Sequence, residues 1–286
     1  MEAGEKYRPQ PVEPGARLPR QIIFLHIART GGSTVWWHLA HTYSSRYHIG
    51  DIYHESRQRF GNAHESLKTV AALQSDFDSL VQPLFLHHHT LFPIDRLLPD
   101  AKFVLYLRDP IARFISYYKH NIRFFSGDKA GPYGDFTRQT LLGFARRHPG
   151  PLNPLTNYFY NSILYQRSKS PKAEAFEKAA GEKKLNWTIF GNEIMPFVEK
   201  FFEERVLFVG FQDQLRESVA DMDEFFGFPR KEPDLERIND SSEVQLLPRD
   251  IEKLSAIEEK LNSLCCFDAA LFAYAKKWEG SNSKPH

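Results

Sequence analysis

The chain has 286 residues, with 37 basic and 36 acidic side chains and a formal net charge of +1. So even a balance excludes a global electrostatic grip on DNA, RNA or an anionic membrane, and any anion site has to be local. A hydrophobic fraction of 42% supports a sizeable core, in one large α/β domain or two small ones.

Residues 1–19 are polar and proline-rich, without an apolar stretch, and read as a flexible lead-in with no signal peptide or membrane anchor. Gln21 to Ile27 is a short apolar run bounded by Gly31-Gly32, which predicts a buried strand. Ser33 to Tyr43 has helical character. Leu84 to His88 is a second candidate strand, and Lys102 to Leu107, β-branched and aromatic, is the clearest one. Asp109-Pro110 then marks a helix start, with Asp at the N-cap and Pro at the first helical position. Ile111, Phe114, Ile115 and Tyr118 follow at helical spacing. Ser126 to Asp135 reads as a Gly-rich loop and His148 to Pro154 as a second loop. Helical patterns resume over Ala173 to Lys184 and Met195 to Phe202. Val206 to Val209 is a further core strand, followed by a helix through Phe226. Phe228 to Asp250 is long and charged, and Ile251 to Trp278 reads as two helices. Strands alternating with helices imply one α/β domain over residues 20–279 with a central, mostly parallel sheet, and a disordered tail over 280–286.

Cys265 and Cys266 are the two cysteines. Neighbouring cysteines rarely meet disulfide geometry, so they read as buried free thiols. Free thiols and the missing leader point to a cytoplasmic protein, although the luminal domain of an enzyme cut from its anchor would share the pattern. Asn186-Trp187-Thr188 and Asn239-Asp240-Ser241 fit the glycosylation sequon and, without a leader, read as chance.

Two segments carry the chemistry. Ile27-Ala28-Arg29-Thr30-Gly31-Gly32-Ser33-Thr34 joins a predicted strand to a predicted helix. Its glycines let the backbone approach a ligand, and the helix start offers unpaired N–H groups and a positive dipole end. Arg29 adds charge, and Ser33 and Thr34 add hydroxyls. It lacks the GxxxxGK[ST] pattern of a Walker loop. In the second segment, Arg108 sits at the carboxyl end of a strand, where α/β sheets bind ligands, and its guanidinium can hold a phosphate with two parallel hydrogen bonds. Ser116, on the helix that follows, adds a hydroxyl. Asp109 is explained as a helix cap. Arg113 reads as a cation paired with an acid or spread over the surface.

These segments resemble the motifs of sulfotransferases that use 3′-phosphoadenosine-5′-phosphosulfate (PAPS). The first is similar to their PKTGGT-type 5′-phosphosulfate loop, and Arg108 to Tyr118 is similar to their 3′-phosphate motif RDPxxRxxSxY. Among such enzymes, the chain resembles the heparan sulfate 2-O- and 6-O-sulfotransferases and their bacterial relatives, from Ile22 to about Trp278. Val206 to Asp213, Ile238 to Ser242, and Asp268 to Ala275 are weaker echoes of later family segments. The resemblance implies a P-loop-like sulfotransferase fold, PAPS as sulfuryl donor, and adenosine 3′,5′-bisphosphate (PAP) as product. It further implies that Arg29, Thr30, Gly31, Gly32, Ser33 and Thr34 hold the 5′ end and that Arg108 and Ser116 hold the 3′ phosphate. Arg29 stands where the family usually has lysine. It keeps the charge but changes the hydrogen-bond geometry, and it is given the role of steadying the leaving phosphate.

His87-His88-His89 ends a predicted strand, and alternation puts His87 and His89 on one face and His88 on the other. The 2-O-sulfotransferases have a similar His-x-His stretch implicated in acceptor deprotonation. By that match His89 is the base and His87 its helper, with Glu55 as the alternative base; imidazole suits proton transfer near neutral pH. Packing at a strand end is the plainer role. A metal site is a third reading of these three histidines, drawing also on His38 and His41, but it lacks a standard zinc spacing, and the scheme calls for no metal. His54, His64 and Glu65 could line the cleft. Asn157, Tyr158 and Tyr160, with loops 44–66 and 126–156, are expected around an acceptor that is a glycan or a small hydroxylated metabolite. No nucleic-acid partner or membrane segment is expected, and the oligomeric state is left open. Two other classes remain at this level: a small-molecule kinase, against which the missing Walker lysine argues, and a catalytically silent nucleotide-binding protein.

Overall fold

A computed structural model describes residues 19–52, 55, 58, 82–89, 94–124, 140–147, 151–168, 185–230, 235 and 245–282. The expected lead-in (apart from its last residue), the Gly-rich loop, the helix over 173–184 and the segment 238–242 lie outside them. Among the described residues the sheet has five strands: β1 (Gln21–Leu25), β2 (His48–Asp51), β3 (Leu84–His88), β4 (Lys102–Leu107) and β5 (Val206–Phe211). The spatial order is β2-β3-β1-β4-β5, and every pairing is parallel.

Parallel strands are covered on both faces and so read as continuous apolar runs. β1 obeys this, since Ile22, Ile23, Phe24 and Leu25 are all buried. β2 does not. Its residues His48, Ile49, Gly50 and Asp51 are partly or fully exposed, and it pairs only with β3. An edge strand of this kind has no apolar run to announce it, and the sequence reading missed it.

Alternation sorts the side chains onto two faces. Ile22, Phe24, Phe85, Val104 and Tyr106 pack with Val35 and Leu39 of α1 (Gly32–Thr42) and with Val219 and Met222 of a later helix over residues 215–225. On the other face Ile23, Leu25, Leu86, Phe103 and Leu105 pack with Phe159, Val198, Phe202 and Leu271. These come from helices over residues 154–168, 195–205 and 266–282.

The helices after α1 that matter for the site are α2 (Pro110–Phe124), α3 (Leu141–Arg147), α4 (Pro154–Ser168), α5 (Met195–Arg205), α6 (Leu215–Phe225), α7 (Leu254–Leu264) and α8 (Cys266–Asn282). α2 begins as the sequence requires: Asp109 Oδ1 accepts from the Ala112 N–H at 2.8 Å. α3 and α4 were not foreseen. Pro154, read as a loop residue, is the first residue of α4, a position where proline loses no intrahelical bond. The cap that starts α4 comes from far away in sequence. Asp268 of α8 accepts from the N–H groups of Leu155 (3.2 Å) and Thr156 (2.8 Å) and from the Thr156 hydroxyl (2.7 Å). α8 itself continues to Asn282, beyond the expected domain end. Cys265 is buried and Cys266 partly so, both as free thiols.

The chain leaves β1 towards β2 and β3 on one side, then crosses to β4 and β5 on the other. The crevice at the carboxyl ends of β1 and β4 is therefore the topological switch point, where open α/β sheets bind their ligands.

Candidate active site

Both anion segments end at that crevice. After β1 the chain turns sharply: the Thr30 hydroxyl donates to the Ile27 carbonyl at 2.8 Å. Thr30 is buried and its side chain closes the turn, so what it can offer a ligand is its backbone. Arg29 has φ of 72° and Gly31 of 83°. The first is an uncommon conformation for a side chain other than Gly, of the kind that collects at functional sites. Gly32 has no room for a β-carbon, which would lie 2.0 Å from His26 Cδ2. α1 then begins, with no acidic residue in its first turn. Its leading N–H groups at Gly32, Ser33 and Thr34 have no carbonyl one turn back within the helix, and they carry the positive dipole end.

β4 delivers Arg108 to the same place. Arg108 Nη1 donates to the Arg29 carbonyl at 3.4 Å, while Arg29 Nε donates to the Ser116 hydroxyl at 3.2 Å. Residues 79 and 87 positions apart in sequence are thereby joined in one cationic corner. Arg108 Nε is buried without a hydrogen-bond partner. Burial first, and the Arg29 cation second, push the Arg108 pKa down, with Asp109 opposing them. A desolvated guanidinium beside a second one is the setting in which an anion is bound most strongly.

His120 completes the corner and was missed. Its Nδ1 accepts from Arg29 Nη1 at 3.3 Å. Burial, then the charges of Arg29 and Arg123, lower its pKa to about 4, so the ring is neutral. It stands one helical turn beyond Ser116 on α2, and that spacing was the available signal. Arg113 decides between its two expected roles. It is buried, not spread over the surface, and donates to the carbonyls of Pro151 and Leu152. The Asp268 carboxylate is the largest charge that stabilises its protonated form.

His87, on β3, and His89, just past it, come to one side, as alternation requires. His87 stacks on Trp36 of α1 at 4.7 Å, and His89 lies at 4.8 Å from His87 on the same side. His26, one residue past β1, joins them and was also missed. Its Nδ1 is 2.9 Å from His87 Nε2, and its ring is 4.4 Å from that of His89. His89 Nδ1–H donates to the His26 carbonyl at 3.2 Å, which puts the basic lone pair of His89 on Nε2. His87 Nδ1 lies 3.0 Å from Asp51 Oδ2, an electrostatic contact without hydrogen-bond alignment. Burial, followed by the charges of His89, His87 and Arg29, holds the His26 pKa well below its ordinary value.

His38 and His41 take no part in this group. His38 Nε2 is bound to the Asp223 carboxylate at 2.9 Å on the α1–α6 side, and His41 Nδ1 donates to the Trp37 carbonyl at 2.7 Å. Glu55 is partly exposed, and His54, His64 and Glu65 lie outside the described residues.

A cavity of about 260 Å³ adjoins the loop, lined by Ala28, Arg113, Tyr117, Asn157, Tyr158 and Asn161 among others. Asn157 and Tyr158 line this cavity. Tyr160 instead belongs to the core beneath the sheet. Among the described residues no helix is long and apolar enough to cross a membrane.

A family model described as the sulfotransferase domain matches residues 20–247. No curated protein sequence matches the chain significantly. Among solved structures, retinol dehydratase in complex with retinol and PAP aligns over 96% of this chain and 84% of its own, at 14% identity and a TM-score of 0.30. Retinol dehydratase in complex with androsterone and the inactive cofactor PAP aligns over 96% and 83%, at 16% identity and a TM-score of 0.30.

Proposed function

The chain belongs to the sulfotransferase family, and on that premise we propose that it moves the sulfuryl group of PAPS in line to the hydroxyl of a small acceptor, with His89 as base. The observation that carries this reading is the cationic corner. Arg29 and Arg108, from the two phosphate-type segments, meet at the switch point with a buried guanidinium N–H of Arg108 still unanswered.

PAPS supplies a sulfuryl group on a phosphate leaving group. The N–H groups of Gly32, Ser33 and Thr34 and the α1 dipole bind its 5′ end and offset the charge that grows as the sulfur–oxygen bond to phosphate breaks. Arg108 and Ser116 bind the 3′ phosphate. In the structure as it stands the Ser116 hydroxyl accepts from Arg29, so Arg29 lies within reach of both ends. His89 Nε2 takes the acceptor proton as the new oxygen–sulfur bond forms, and His87 and His26 hold the ring from behind. The cavity beside Ala28 is the proposed acceptor seat, and its volume suits one sugar residue or a small hydroxylated metabolite.

Transfer from labelled PAPS into a panel of glycans and small hydroxylated metabolites is the direct experiment. Sulfation of at least one acceptor is expected. His89→Ala should fold, keep PAP affinity and lower turnover by about 10²–10⁴-fold. An unchanged rate in that variant removes His89 as the base and makes Glu55 the next residue to change. Stabilisation by ATP with magnesium but not by PAP would overturn the donor assignment.

A further inference from the structure

We propose that His26, His87 and His89 form a binding site for a divalent transition-metal ion, with Zn²⁺ the best match to the donors. Three ligand nitrogens, one from each ring, all lie within 4.8 Å of one another. Tetrahedral zinc holds imidazole nitrogens at about 2.0–2.1 Å, which separates them from each other by roughly 3.3 Å. The His26 Nδ1 to His87 Nε2 distance of 2.9 Å has only to open slightly to admit the ion. A hydrogen bond between those two rings explains that pair by itself. It does not explain a third ring brought against both, at 4.4 Å from His26 and 4.8 Å from His87.

The surroundings are those of a ligand set. Metal-binding imidazoles are oriented through their second nitrogen by a carbonyl or a carboxylate. His89 Nδ1 is engaged by the His26 carbonyl, which makes Nε2 its ligand atom. His87 directs Nε2 at His26 and has the Asp51 carboxylate 3.0 Å from Nδ1. That carboxylate offsets part of the ion's charge, which matters because Arg29 is close by. The Arg29 guanidinium is itself turned towards Ser116 and His120 on α2. His26 and His87 are buried and His89 is partly exposed, so an ion reaches the site along His89 and completes its coordination there with water. Three imidazoles and no oxygen donor select borderline metals and discriminate against Mg²⁺ and Ca²⁺.

The site follows from the cluster geometry and stands whether or not the chain transfers sulfate. One consequence does rest on that reading. An imidazole nitrogen bound to a metal cannot accept a proton, so the loaded protein is silent in transfer.

The test uses the full chain, stripped with a chelator and dialysed against Zn²⁺, with metal content and melting temperature measured. One equivalent per chain is expected, with a rise in melting temperature. Co²⁺ in its place should give the visible absorption of a tetrahedral site. Mg²⁺ should not compete. Asp51→Asn should weaken binding by about 10–100-fold, as loss of an outer-shell partner does. His89→Ala, at the most exposed of the three positions, should abolish the site. Absence of stoichiometric binding, full retention of Zn²⁺ by His89→Ala, or displacement by Mg²⁺ would each overturn the proposal. The wild-type Co²⁺ spectrum decides the matter even if a variant fails to fold. Metal binding without any sulfate transfer would leave the site standing and bring down the function alone.

Discussion

Two arginines five positions apart on one strand–helix unit live in opposite surroundings. Arg113, on α2, is buried against the carbonyls of Pro151 and Leu152 and in the field of Asp268. That carboxylate also caps α4, so charge, cap and helix packing close on one another. Arg108, at the end of β4, is answered differently. Among the described residues it donates only to the Arg29 carbonyl, and its nearest strong field comes from the Arg29 cation, while the Nε of both arginines is buried without a hydrogen-bond partner. Buried charge that faces a carboxylate maintains structure, whereas buried charge that faces a second cation is a place for a ligand. The motif spells both residues with the same letter.

The contrast breaks first at Arg113. Arg113→Ala should destabilise the fold by about 3–5 kcal/mol, because it removes the cation facing the buried Asp268 carboxylate and leaves two carbonyls without their donor. Urea denaturation measures it, and a loss of less than about 1 kcal/mol, the range of an exposed pair, would show that the seam does not depend on this cation.

Arg108→Ala should do the reverse. Stability in the absence of ligand should change by less than about 1 kcal/mol, since the one native partner lost is the long hydrogen bond to the Arg29 carbonyl. The extra stabilisation by PAP over AMP should disappear, a loss of about 1.5–3 kcal/mol for a hydrogen bond to a charged group. If the wild-type protein is stabilised equally by PAP and AMP, Arg108 does not read a 3′ phosphate.

A gentler comparison exchanges shape and keeps charge. Arg29→Lys should remain active within about tenfold, since an ammonium still reaches a phosphate, whereas Arg113→Lys should lose the two-carbonyl grip and melt earlier. The same melting for both variants would erase the distinction.

The smallest effect concerns His120. Its folded pKa of about 4 lies below the ordinary 6.5. The neutral ring is therefore favoured in the fold. The stability this contributes is present above pH 6.5 and is lost as pH falls towards 4. His120→Gln should flatten the stability profile in that window, and PAP, by answering Arg29, should raise the His120 pKa in an NMR titration. A ring that titrates at its ordinary value with and without PAP would place it outside the corner.

Much of this was legible without coordinates. The apolar runs of β3 and β4 have the observed bounds, because a strand buried on both faces has to be apolar along its length. The Asp109 cap followed from residue types alone, as did the shared side of His87 and His89. β2 was hidden because an edge strand needs no apolar signature, and α4 because its cap is donated from α8.

The sequence by itself determined which segments can turn, cap and carry charge, since those properties depend on residues a few positions apart. Only the tertiary structure decided which of them meet. His26 joins His87 and His89 because β1 lies beside β3 in one register, with the His26 N–H donating to the His88 carbonyl at 2.8 Å. Arg29 reaches Ser116 and His120 because β4, and not β2, is the other neighbour of β1. Strand order and register arise from the packing of the whole sheet, and a local pattern of residues carries no record of them.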